Sequence, residues 1–255
     1  MPQKIKGNIG EAGRILILDE SDLSTIEINE VIGASGDFDI EVPVSGTKMV
    51  IARNNNGETI GYGAVSSVFE PVLEVPMDVT SYVTANADDG FWRSSAFYAA
   101  STNLYYGNYP TNLFCHGFWN FSNVAIPQGA TINSAYVRLR AQSPSGASVP
   151  TVIIYSLASD NAVSPTNLAE ALAMNLQNGV LWNTVPTPSS GTWYNTMDIS
   201  TQVQAVINRP GWVSGNKLLI ALKHNSGVSG AYRNVYTRDG GVSTELHINY
   251  MGIPE

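Results

Sequence analysis

Ser35-Gly36-Asp37-Phe38-Asp39-Ile40-Glu41-Val42 opens as a turn and continues as a strand. Phe38, Ile40 and Val42 alternate strictly with Asp39 and Glu41, a period of two that turns one face of an extended chain inward and leaves the other in water. Ser35-Gly36-Asp37, like Asn54-Asn55-Asn56-Gly57 further on, supplies the positive-φ and side-chain-capped backbone that tight hairpins require. Short β-branched or apolar runs lie around these turns at 15–18, 49–52 and 62–68, so residues 1–70 read as a small β-sandwich.

Beyond it, Pro71 and Pro76 interrupt an extended stretch and favour polyproline geometry over a helix or a central strand, which predicts a linker at 71–78. Strand-length runs then recur at 105–106, 118–121, 135–141, 151–156, 218–222 and 246–250. One helix interrupts them. With Asp198 or Ser200 as N-cap, Ile199, Val203, Val206 and Ile207 share a face, and Pro210-Gly211 stops the run. A second helical turn is predicted within 168–176. The expected fold class is all-β: a small N-terminal β-sandwich, then a larger antiparallel β-jelly-roll sandwich over 79–255 with one or two short helices.

The 255 residues are enough for two domains that bury their own cores without disulfides or metals as staples. Cys115 is the only cysteine, which excludes an internal disulfide and reads as a buried, inert thiol. Hydrophobic residues make up 44% and charged residues 13%, a composition suited to sheets with uncharged polar outer faces. No segment approaches the roughly 20 apolar residues that span a bilayer, and the opening MPQKIKGNIG lacks the apolar stretch of a signal peptide. Neither a membrane partner nor a secretory leader is expected. Of the net charge of −8, residues 1–76 carry −7 (5 Lys and Arg against 12 Asp and Glu) and residues 77–255 carry −1 (8 against 9). An acidic first domain repels phosphate backbones, and no basic run carries interleaved aromatics, so nucleic acid is not an expected partner either.

Lys4-Ile5-Lys6-Gly7, Gly13-Arg14-Ile15-Leu16-Ile17-Leu18-Asp19, Ser35-Gly36-Asp37-Phe38-Asp39-Ile40-Glu41-Val42-Pro43 and Met49-Val50-Ile51-Ala52 resemble the transthyretin-like or carboxypeptidase-regulatory-like sandwich. That resemblance implies a connector or anchor with no active site, of a kind found in phage tail and appendage proteins. A second resemblance covers most of 79–250. Val124-Ala125-Ile126-Pro127-Gln128-Gly129-Ala130-Thr131-Ile132-Asn133-Ser134-Ala135-Tyr136-Val137-Arg138-Leu139, Asp198-Ile199-Ser200-Thr201-Gln202-Val203-Gln204-Ala205-Val206-Ile207, Gly215-Asn216-Lys217-Leu218-Leu219-Ile220 and Thr244-Glu245-Leu246-His247-Ile248-Asn249-Tyr250 resemble the disaggregatase-related, DNRLRE-type carbohydrate-binding jelly roll. Thr244 stands where a proline is common. The resemblance implies a jelly roll, in some cases with a structural calcium, of a kind found on bacterial surface proteins, polysaccharide-active enzymes and phage structural proteins.

Catalysis on polysaccharides needs paired carboxylates, and acyl transfer needs a nucleophile with a base. Asp78, Asp88, Asp89, Asp160, Glu170, Asp198, Asp239, Glu245 and Glu255 sit mostly in turn or cap patterns. His116, His224 and His247 are far apart, with neither a zinc spacing nor a GxSxG signature nearby, so no enzyme is expected. The oxygens of Asn86, Asp88 and Asp89 fall in one loop and suit calcium, with a plain solvated turn as the competing reading; Asp160-Asn161 is another such loop. Sugars stack on aromatic planes while Arg, Asn and Asp bind their hydroxyls. Trp92, Arg93, Tyr105, Tyr106 and Tyr109 in a loop-rich stretch, with Trp193, Tyr194, Tyr232 and Arg233 later, are the candidates. The competing reading of each ring is that it fills the core or covers an open end of the sandwich. Trp119, alternating with Phe118 and Phe121, and Trp212, after the helix stop, read as core.

These readings converge on a non-enzymatic phage virion accessory protein of tail, baseplate or capsid. Its first domain is expected to dock to other virion proteins and its second to face host or environmental glycans, in several copies or as a homo-oligomer. The alternative is a polysaccharide-binding module of a secreted bacterial protein, placed outside the cell or on its surface.

Overall fold

The computed structural model describes residues 74–143 and 148–253 in full and, within residues 1–73, the backbone of six strands. The chain divides into two compact units, residues 1–74 and 75–254. In the first, β1 (Gln3–Ile9) pairs antiparallel with β4 (Gly36–Val42), the strand of strict alternation. A separate antiparallel sheet runs in the order β3 (Ile26–Ile32), β2 (Gly13–Asp19), β5 (Lys48–Asn54), β6 (Thr59–Val65). The turns expected at Ser35 and Asn55-Asn56-Gly57, and residues 71–73 of the expected linker, lie outside the described residues.

The second unit is an antiparallel two-sheet sandwich. One sheet has four strands in the order β15 (Trp193–Asn195), β12 (Thr131–Arg140), β18 (Glu245–Gly252), β7 (Val75–Tyr82). Residues 75–78, expected in the linker, are thus the first of β7, paired with β18. The other sheet has eight. Its path is β14 (Leu176–Trp182), β13 (Thr151–Leu157), β16 (Leu218–Ser226), β11 (Leu113–Phe121), β10 (Asn103–Tyr109), β17 (Tyr232–Tyr236), and β8 (Asp89–Arg93) branches from β11 carrying β9 (Ala96–Tyr98).

The core lies between the sheets. Trp119, Phe121, Leu218, Ile220 and Leu222 from one side meet Val137, Leu139, Leu246 and Ile248 from the other. Phe118, Leu219 and Ala221 alternate with these and point to the opposite face, where Trp92, Ala162 and Ala171 cover them. Being covered on both faces explains why residues 218–222 are apolar without a break.

Two helices, α1 (Leu168–Ala173) and α2 (Ser200–Ile207), complete the unit. Val203, Val206 and Ile207 of α2 enter the core as the 3.6 period requires. The N-cap is Ile199, neither Asp198 nor Ser200. Asp198 serves the sheet instead: its carboxylate accepts the Ala135 N–H at 2.9 Å, while Thr196 Oγ1 accepts that of Val137 and Gln204 Oε1 that of Ile132. These side chains satisfy the edge of β12 before β15 takes over at Arg138, so the edge is capped where no strand continues. No helix among the described residues is long and apolar enough to cross a membrane.

Candidate functional site

Of the rings and arginines singled out for sugar binding, four serve the core. Trp92 keeps 1% of its surface exposed and packs behind the eight-stranded sheet. Tyr106 and Tyr194 are buried between the sheets and share a hydrogen bond of 2.9 Å. Arg233 has no exposed surface; it donates to the carbonyls of Ser148, Tyr232, Val185 and Pro186 and to Thr187 Oγ1. Filled on every side, these groups have no face left for a ligand.

Arg93, Tyr105, Tyr109 and Tyr232 come together, joined by Phe91 and Tyr98. The fork in the sheet brings this about. Residues 116–119 of β11 pair with β8, whereas Cys115, Phe114 and Leu113 pair with β10, so β8–β9 and β10–β17 leave β11 as two arms. Aromatic side chains bridge the arms. Phe91 stacks on Tyr98 at 4.4 Å and 9° and meets Tyr105 edge-on at 5.5 Å. Tyr105 contacts Tyr109 at 5.0 Å, and Tyr109 contacts Tyr232 at 4.9 Å. The Arg93 guanidinium lies 5.6, 5.2 and 5.3 Å from the ring centres of Phe91, Tyr98 and Tyr109.

Phe91 is buried; the other members are half-buried and keep a face in solvent. Burial, aided by the neighbouring Tyr109 and Tyr105, pushes the Tyr232 hydroxyl above its usual pKa, so it stays a neutral donor and acceptor. Gly107, with φ of 103°, lets β17 approach β10 here: a Cβ would stand 2.6 Å from the Ala231 carbonyl oxygen. The result is an apolar patch edged with phenols and one guanidinium, chemistry suited to the faces and hydroxyls of a pyranose ring.

Trp193 lies apart, on the four-stranded sheet. Arg138 and Arg140 cover its ring at 4.9 and 6.0 Å, and Arg138 also bonds Glu245 at 3.2 Å. On the same sheet face His247 stacks on Tyr136 at 4.9 Å and hydrogen-bonds Glu245 at 2.7 Å, so this surface satisfies much of its own polarity.

The residues considered for calcium are parted by their contacts. Asn86 and Asp88 form one turn of 3-10 helix, and both Asp88 oxygens are taken: Oδ1 by the Ser164 hydroxyl at 2.6 Å, Oδ2 by the Lys217 ammonium at 2.8 Å. Asn161, from the other loop considered, accepts the Lys217 backbone N–H. An ammonium thus takes the place between these loops that a cation would need. Asp89 is fully buried, accepts the Arg238 N–H through Oδ2 and leaves Oδ1 without a partner. Among the described residues no three His, Cys, Asp or Glu side chains converge to hold a metal ion.

No family model matches the chain, and no curated protein matches it. Among the solved structures to which the chain shows a distant similarity are three. One is of tomato aspermy virus, with 12% identity, 75% of this chain and 89% of that one covered, and a TM-score of 0.22. Another is a carbohydrate-binding module of the β-sandwich superfamily, with 11% identity, 100% and 98% coverage and a TM-score of 0.25. The third is desmodium yellow mottle tymovirus, with 10% identity, 74% and 97% coverage and a TM-score of 0.22. At these identities and scores the likeness assigns neither family nor function.

Proposed function

We propose that the chain is a non-enzymatic virion protein that displays its second unit from the virion surface and binds host or environmental saccharides on the aromatic patch around Arg93. One observation carries the saccharide reading: two arms of a forked sheet set Phe91, Tyr98, Tyr105, Tyr109 and Tyr232 in one contiguous, partly solvent-facing group beside a guanidinium. The carboxylates support a non-catalytic role. Asp88, Asp160 and Glu245 are held in ion pairs, and Asp198 holds the β12 edge. Glu170 is held by Thr166 and Asn167 at the start of α1. Asp89, whose carboxyl burial pushes up to about 7, has no exposed surface through which a substrate could reach it.

Display on a virion rests on the resemblance of both halves to modules that occur in phage structural proteins, with the acidic first unit docking to other virion proteins. The test has two parts. Full-length chain is applied to a glycan array beside Tyr109→Ala and Tyr232→Ala variants; retention by a defined glycan, lost in both variants, is the expected result. Unchanged binding in the variants places the site elsewhere, and no binding at all removes the saccharide reading. Immunogold labelling of particles from the source then separates virion display, seen as regular labelling, from a secreted polysaccharide-binding module, which leaves particles bare.

A further inference from the structure

Among the described residues no carboxylate answers the cation of the patch. Among the described residues, Arg138, Arg209 and Lys217 have carboxylate partners at 3.2, 2.5 and 2.8 Å. Arg93 is surrounded instead by the rings of Phe91, Tyr98 and Tyr109 and by the Cys115 thiol, and its Nε is buried with no partner. Rings hold a guanidinium by its flat faces and leave its N–H edge available. The enclosed Nε is out of a ligand's reach; Arg93 as a whole is half-buried, so a ligand acceptor would meet the terminal nitrogens of its guanidinium.

We propose that this patch selects acidic saccharides, the sugar face lying on the tyrosine rings and a uronate-type carboxylate meeting the Arg93 guanidinium. This rests on the reading of the patch as a saccharide site and names its ligand class. A planar carboxylate matches the guanidinium fork with two parallel bonds, which a hydroxyl cannot do. The half-buried setting weakens solvent screening of that pair. The phenol of Tyr232, held neutral, can donate to the same carboxylate or to a ring hydroxyl without repelling it. The −7 charge carried by residues 1–76 is not repeated in residues 77–255, which sum to −1, so an anionic ligand meets no strong opposing field from this unit.

Titration calorimetry of the full chain with hexuronate oligomers, the same oligomers reduced at C6 to neutral sugars, and sulfated neutral oligomers tests the assignment. The uronates are expected to bind at least about tenfold more tightly than the reduced set, with affinity falling as salt rises. Arg93→Gln is expected to bring uronate binding down to that of the reduced set, and Arg93→Lys to restore it only in part. Should Arg93→Gln not fold, the comparison of uronate with reduced ligand on the unaltered chain decides alone. Equal binding of acidic and reduced oligomers overturns the ligand class while leaving a saccharide site. Preference for the sulfated set overturns the carboxylate, and no binding by any set overturns the saccharide reading beneath it.

Discussion

The hydroxyls of Tyr106 and Tyr194 meet 2.9 Å apart inside the sandwich, tying β10 of the eight-stranded sheet to β15 of the four-stranded one. Burial pushes both phenols above their usual pKa, so the pair is neutral and each depends on the other for a partner. Tyr106→Phe or Tyr194→Phe alone strands one buried hydroxyl and is expected to cost about 1–3 kcal/mol, whereas the double variant loses much less than the sum. Urea unfolding followed by tryptophan fluorescence measures this in the full chain. All the tryptophans (Trp92, Trp119, Trp182, Trp193 and Trp212) lie in residues 75–254, so the signal reports that unit.

Arg233→Met removes the donors that hold the carbonyls of Ser148, Val185 and Pro186. Several buried acceptors are left unpaired, and a loss of about 3 kcal/mol or more is expected. Arg233→Lys should recover little, because a single ammonium cannot reach acceptors arranged around a planar fork. A stable Arg233→Met variant with impaired glycan binding would show instead that the guanidinium faces a ligand.

Burial raises the Asp89 carboxyl to about 7, the Arg238 N–H opposes this, and the neighbouring Asp239 and Asp88 add to the rise. The unfolded chain gives up the same proton near pH ~4. Between these values the folded state binds the extra proton, so this group's contribution to stability falls as pH rises from about 4 to about 7 and is level above. Asp89→Asn keeps an acceptor for Arg238 and removes the charge. It should be more stable than the parent at pH 8, on the order of 2 kcal/mol, with a shallower slope of melting temperature against pH. An unchanged slope would assign the titration to another group.

Lys217 supplies the charge that answers the buried Asp88 carboxylate at 2.8 Å. Lys217→Met leaves that carboxylate with the Ser164 hydroxyl alone and is expected to cost about 1–3 kcal/mol. Adding Asp88→Asn should return most of the loss, since the unpaired charge goes with it. Thermal melts of the two single variants and the double variant read the coupling, and simple additivity would mean that the pair does not act as a unit.

Much of the fold was legible in the sequence because it follows from local periods. Runs at 118–121, 135–141 and 218–222 lie in β11, in β12 as far as Arg140, and in β16. The apolar face of Ile199, Val203, Val206 and Ile207 marked α2. Strands β8, β9, β14, β15 and β17 carried no such signal: β9 and β15 have three residues each, and Gln177-Asn178-Gly179 interrupts the apolar residues of β14.

A period of two tells which side chains share a face, and in Phe91-Trp92-Arg93 it already sets Phe91 and Arg93 against Trp92. It does not tell which face another layer covers. Only the tertiary structure decided that residues from Ala162 to α1 cover Trp92, and that Tyr106 points into the core while Tyr105 and Tyr109 stay half-open. The patch and the Asp88–Lys217 pair join groups from strands and loops far apart in the chain. Such meetings depend on the fork at β11 and on how the sheets close over one core, which are outcomes of packing the whole unit; composition and local period establish the all-β class and reach no further.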